Sequence, residues 1–139
     1  MNGAMVVTPL YAGLLALWFL VLSARVITTR RRAQVSLGDG GDVELQRAIR
    51  GHANFAEYVP LALLLLLVIE LSRFSIYVVH ALGILLLVAR LLHGYALCFS
   101  RHSPFGRTWG FGLTAAVLIV EAVLCLYQTW RGHYVWLAT

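Results

Sequence analysis

Four apolar stretches occupy most of this 139-residue chain, and each is long enough to cross a bilayer, for which a helix needs roughly 20 predominantly apolar residues. They run over about residues 6–28, 44–72, 76–99 and 107–130. The second is polar at its start, and its fully apolar core is only Val59 to Ile69, with Pro60 inside it. The chain is 60% hydrophobic and 12% charged, with a mean hydropathy of +0.81. A globule of this size has too little interior to hide that much apolar surface. An ordinary soluble enzyme, a disordered chain and a fibrous repeat are therefore excluded. The expected fold is all-α, an integral membrane four-helix bundle forming one domain over residues 1–139. No basic residue precedes the first stretch and no small-x-small cleavage site closes it, so a spanning helix is expected there rather than a signal peptide.

All 11 basic residues are arginine, and the net charge is +5. The arginines sit in and beside the apolar runs, not in a lysine-rich tail, so nucleic acid is not an expected partner. Arg30, Arg31, Arg32, Arg47, Arg101 and Arg107 fall on one side of a four-span bundle, and Arg73 and Arg131 on the other. The positive-inside rule then puts TRRRAQVSLGDGGDV and SRHSPFG in the cytoplasm and both termini outside. Pro104 is expected to mark a helix end in the second of these loops. Tyr127, Trp130, Tyr134 and Trp136 cluster at the chain end as an aromatic interface belt does. Cys98 and Cys125 form no framework and no CxxC pair, and no metal site is expected.

The segment RAIRGHANFAEYVP carries the chemistry. At 100° per residue, Arg47, Arg50, Asn54, Glu57 and Tyr58 fall within roughly 100° of arc, a polar stripe on a helix that soon becomes a run of leucines. A solvated helix start accounts for Arg47. It accounts poorly for Asn54 and Glu57, which adjoin the apolar core, and polar groups there usually face a bundle interior or a cavity. Arginine forks take carboxylates, a glutamate accepts from an ammonium, and asparagine both donates and accepts. The set fits a small zwitterion with more than one carboxylate, such as glutathione.

Other polar residues have plainer readings. Glu70, His80 and Glu121 fall toward the outer half and are expected to form a buried, mutually paired polar cluster. Arg90 is expected to pair with a carboxylate such as Glu57. His52 points away from Arg47 and Arg50. His80 and His93 lie roughly 20 Å apart along one helix, and haem ligation there lacks partner histidines on other helices. Gly106 and Gly110 form a small-xxx-small pair suited to close helix packing.

Three stretches resemble the MAPEG family, membrane-associated proteins of eicosanoid and glutathione metabolism, and the nearest likeness is to bacterial members. VITTRRRAQVS resembles the end of the first helix of leukotriene-forming synthases. Arg47, Arg50, Asn54, Glu57, Tyr58 and Pro60 reproduce the pattern R-x-x-R-x-x-x-N-x-x-E-Y-x-P. The third stretch is ARLLHGY with the later RHSPFGR.

The resemblance implies a homotrimer in the bacterial inner membrane, with glutathione bound as co-substrate between adjacent subunits near the cytoplasmic face. Arg50, Asn54, Glu57 and Tyr58 match its binding positions, and Arg47 opens the motif. Arg30 and Arg31 match an arginine pair at the end of the first helix. His93 matches a His or Tyr position on the third. The tyrosine usual four residues later is replaced by Leu97, and Tyr95 comes two residues early. The thiolate-activating arginine matches Arg107 by its spacing from Pro104, or Arg101 as in some relatives, with Arg31 of a neighbouring subunit the next candidate. The implied activity is glutathione-dependent transfer to, or peroxidase action on, a lipophilic small molecule held against membrane lipid. The alternatives are a scaffold or lipid-binding protein of the same frame without transfer activity, and a small transporter or haem protein.

Overall fold

The computed structural model describes residues 6–100 and 104–137, with side chains through residue 131. It contains α1 (Val7–Ala33), α2 (Val43–Leu71), α3 (Ile76–Cys98) and α4 (Pro104–Leu137), all long and apolar enough to cross a membrane. Tyr134 and Trp136 of the expected aromatic belt, and Arg101, lie outside the described side chains.

Two boundaries differ from the apolar pattern. α1 continues past residue 28 to Ala33, so Arg30, Arg31 and Arg32 ride on its last turn rather than in a loop. Arginine is a good helix former, and cations favour the negative end of the helix dipole. The helix stops where Gln34 turns left-handed (φ 54°) and returns its N–H to the last-turn carbonyls. α4 begins at Pro104 rather than near Arg107. Proline forfeits a hydrogen bond inside a helix but suits its first position, where no N–H is required.

The α1–α2 loop is closed by its own residues. Arg30 donates to the carbonyls of Val35 (3.3 Å) and Gly38 (2.8 Å). Gly40 has φ +59°, and a Cβ there would stand 2.5 Å from a Val35 methyl, so the position requires glycine. Asp42 then caps α2, accepting from the Leu45 N–H at 2.8 Å. α2 runs on through Pro60, whose missing N–H falls on the helix's exposed face.

α2 and α3 form the centre of the bundle. Each packs against all three other helices, whereas α1 and α4 do not touch each other among the described residues. Glycines set the close approaches of α3. A Cβ on Gly83 would meet the Tyr11 ring of α1, one on Gly51 of α2 would meet the Cys98 sulfur, and one on Gly110 of α4 would stand 2.7 Å from the His93 backbone nitrogen. The buried seam includes Leu15, Leu22, Val59, Leu66, Ile69, Leu86 and Val117. Large apolar residues such as Leu17, Leu61, Ile84 and Ile119 point outward, as a lipid-facing surface requires.

The expected cluster of Glu70, His80 and Glu121 does not form. Glu70 instead accepts from the N–H groups of Val6 (2.7 Å), Val7 (2.9 Å) and Thr8 (2.8 Å). Those donors belong to the start of α1, which has no side-chain cap of its own and leaves them without helical partners. His80 is hydrogen-bonded through Nδ1 to the Tyr11 hydroxyl at 3.0 Å. Glu121 is buried apart from both, with no hydrogen-bond partner for either carboxyl oxygen.

Candidate functional site

The polar stripe of α2 opens onto a cleft of about 350 Å³ at the arginine-rich end of the bundle. Its walls are Gln46, Arg47, Arg50 and Asn54 from α2, His93 and Leu97 from α3, and Arg107 from α4. Three helices meet there because Gly110 lets α4 lie directly on α3. The ring of Phe111 packs edge-on against Tyr58, with centroids 5.6 Å apart, and so ties α2 to α4 beside the cleft.

Arg90 lies behind the wall and is 1% exposed. It donates through Nη1 to Asn54 Oδ1 (3.0 Å) and through Nη2 to the Gly110 carbonyl (3.3 Å), while its Nε has no partner. The expected pairing with Glu57 is thus absent. Asn54 lies beside Arg90 in the bundle, whereas Glu57, three residues on, is carried to the exposed edge of α2. No carboxylate lines the cleft, so its arginines and the buried Arg90 behind them leave it strongly positive.

His93 is nearly buried, and its Nδ1 lies 3.1 Å from the Arg107 carbonyl. A carbonyl only accepts, so Nδ1 carries the proton and Nε2 is the acceptor of the neutral ring. Leu97, one turn beyond His93, presents an apolar wall to the cleft. Tyr95 is 59% exposed and stacks on Phe99 with centroids 5.8 Å apart, away from the cleft walls.

The remaining residues of interest are dispersed around this cleft. Arg47 lines it but also donates to the Ala96 carbonyl (3.0 Å) and to that of Ser100, capping the end of α3. Arg25 joins the same cap through the Cys98 carbonyl (2.9 Å) and pairs with Glu44, which also binds Arg32 at 2.6 Å. Arg30 is engaged with the α1–α2 loop, and Arg31 is exposed on the last turn of α1. Arg50 and Glu57 are both exposed and have no side-chain partner among the described residues. Seven residues apart, they lie about 20° apart around α2 and roughly 10 Å apart along it, on one edge of the subunit. His52 faces α1, stacking on Phe19 and bonding Ser23 at 3.1 Å.

Gln46 stands one turn before Arg50, so the helical period that picks out the stripe also includes it. Phe111 carries no polar signal that the sequence could reveal. No group of three or more His, Cys, Asp or Glu that could hold a metal occurs among the described residues. The guanidinium forks of the cleft suit it to binding an anionic group.

Comparison with known proteins agrees with this frame. The sequence model of the MAPEG family matches residues 8–127. The "Inner membrane protein YecN" of Escherichia coli strain K12 is 38% identical over 129 residues, covering 90% of this chain and 95% of that protein. The protein of the same name from Escherichia coli O6:H1 matches equally. No solved structure matches significantly. A family match running through all four helices, with a relative aligned over nearly its full length, establishes that this chain belongs to the MAPEG family.

Proposed function

We propose that this chain is a glutathione-dependent transferase or peroxidase of the inner membrane, working as a homotrimer on lipophilic electrophiles. The observation that carries the reading is the cleft walled by Arg47, Arg50 and Arg107, backed by the buried Arg90 and lined by no carboxylate. Glutathione brings two carboxylates, one ammonium and a thiol. Arg50 and Arg47 are the forks for its carboxylates, Asn54 and Tyr58 offer hydrogen bonds, and Glu57 is the acceptor for its ammonium. Because Arg50 and Glu57 lie on an open edge, the reading puts glutathione where a second subunit covers that edge. Arg31 of the neighbour then comes into reach as a further cation.

The chemistry follows from the charge. A free thiol ionises near pH 8.5, and a guanidinium beside it favours the thiolate. Arg107, at the start of α4, is the residue assigned to that role; Arg101 is the other candidate. The thiol proton passes to solvent. The sulfur then bonds to the electrophilic carbon as the leaving group departs with its electron pair, or attacks a peroxide oxygen as the O–O bond breaks. In the second case the departing alkoxide takes a proton from solvent, and a second glutathione converts the sulfenic acid to the disulfide and water.

Leu97 favours a second reading. It presents an apolar wall to the cleft where a hydroxyl could have contacted the thiol, which suits a scaffold that binds glutathione without activating it.

Isothermal titration of glutathione into detergent-purified protein tests the binding. Wild type should bind, and Arg50→Ala and Glu57→Ala should each weaken binding by roughly 10- to 150-fold, the loss of a charge-assisted contact of about 1.5–3 kcal/mol. Equal affinity in all three proteins defeats the assignment. Glutathione bound with its thiol ionising as it does in free solution favours the scaffold.

A further inference from the structure

Glu121 stands far along α4 from the cleft. It is fully buried, and neither of its carboxyl oxygens has a hydrogen-bond partner. It continues the stripe by which α4 packs inward, Gly110, Thr114, Val117 and Glu121, so it faces protein rather than lipid. Of the titratable groups of the other helices and their turn at this end, Tyr77 of α3 and Arg73 of the α2–α3 turn are exposed, and the rest are occupied elsewhere. Glu70 of α2 binds the start of α1, and His80 of α3 binds Tyr11 of α1. On α4 itself the nearest titratable neighbour is Cys125, one turn on, which carries no positive charge. A further turn along, Gln128 Oε1 is also buried without a donor.

This stretch of α4 therefore has acceptors and nothing to satisfy them. An ionised carboxylate among apolar groups is costly unless paired, and no cation pairs with Glu121 among the described residues. A carboxylic acid avoids that charge and carries its own O–H donor. We propose that Glu121 is a proton-binding site inside the bundle, occupied while α4 is closed against α2 and α3. A proton is the one cation that needs no cavity. Opening α4 to water releases it, so closure of the helix is tied to proton uptake.

Sign and size follow from linkage. Above about pH 4.3, where a hydrated glutamate is ionised, and for as long as the buried carboxyl keeps its proton, the closed state binds one more proton than the opened state. Rising pH therefore favours opening, by up to tenfold in the opening constant per pH unit.

Infrared spectroscopy of wild type and Glu121→Gln, in a detergent without ester groups, tests this directly. At neutral pH the wild type should show a protonated-carboxyl C=O band that Glu121→Gln lacks; identical spectra in that region overturn the proposal. Should the variant not fold, ¹³C-glutamate labelling of wild type together with Glu44→Gln and Glu57→Gln gives the answer, since the band must shift with the label and survive both substitutions. A band that stays put, or no band, overturns it. Thermal unfolding of both proteins from about pH 5 to pH 8 supplies the second readout. Wild type should lose stability relative to Glu121→Gln as pH rises, and parallel profiles overturn the coupling.

Discussion

Arg90 and Arg107 stand differently to the cleft, one buried behind it and the other exposed at its rim. Arg90 is locked to Asn54 and the Gly110 carbonyl, so it sets the potential behind the cleft without moving. Arg107 is exposed at the start of α4 and free to approach a ligand. Arg107→Ala should therefore leave glutathione affinity nearly intact but return the bound thiol toward its free ionisation near pH 8.5. Turnover should fall most near neutral pH and recover at high pH, where the thiol ionises unaided. Ultraviolet titration of thiolate absorbance reads this shift, and Arg101→Ala is the parallel test. If only Arg101→Ala shifts the thiol, the role moves to that residue. The stripe of Arg50, Asn54, Glu57 and Tyr58 was legible because helical period alone places those residues on one side of α2. The partner of Arg90 was not legible. Which group faces it depends on how α2 lies against α3, and that is set by the glycine contacts rather than by any polar residue.

At the scale of the elements, α4 offers a matched pair of glycines two residues apart. A Cβ on Gly110 meets the α3 backbone at His93 N and the Ala89 carbonyl, whereas one on Gly112 meets nothing within 4 Å. Gly110→Ala should destabilise the bundle by about 1–3 kcal/mol, the usual result of overpacking a site that cannot yield. Gly112→Ala should be neutral or stabilising by up to about 1 kcal/mol, because alanine is the better helix former. Thermal denaturation in detergent separates the two. The far end of the bundle depends on Glu70. Glu70→Gln should lower stability by about 1.5–3 kcal/mol, since the N–H groups of Val6 and Val7 use Oε1 and that of Thr8 uses Oε2, and an amide keeps only one accepting oxygen. The helices themselves were legible as apolar runs. Their ends were less so, because the arginines of α1 and Pro104 of α4 interrupt the hydropathy pattern without interrupting the helix.

For the whole molecule, charge is distributed end to end. Arg30, Arg31, Arg32, Arg47, Arg50 and Arg107 gather at the cleft end, while the α2–α3 turn at the other end holds Arg73. The cleft end should face the cytoplasm. A fluorescent protein that matures only in the cytoplasm should stay dark at the C-terminus and glow when inserted in the α1–α2 loop; the reverse pattern overturns that orientation. The four-span frame was legible from composition. The openness of the cleft edge was not, because helical period places Arg50 and Glu57 around α2 but does not say which side of α2 the other helices cover.

That α1 and α4 share no contact among the described residues has a consequence for how the protein is made. The first three helices all contact one another without α4, so their packing does not have to wait for the ribosome to deliver it. Until α4 arrives, Arg90 lacks its Gly110 acceptor and His93 lacks the Arg107 carbonyl. A nascent chain stalled after α3 therefore displays a poorly satisfied arginine within the bilayer, a mark by which membrane quality control could tell an unfinished copy from a complete one.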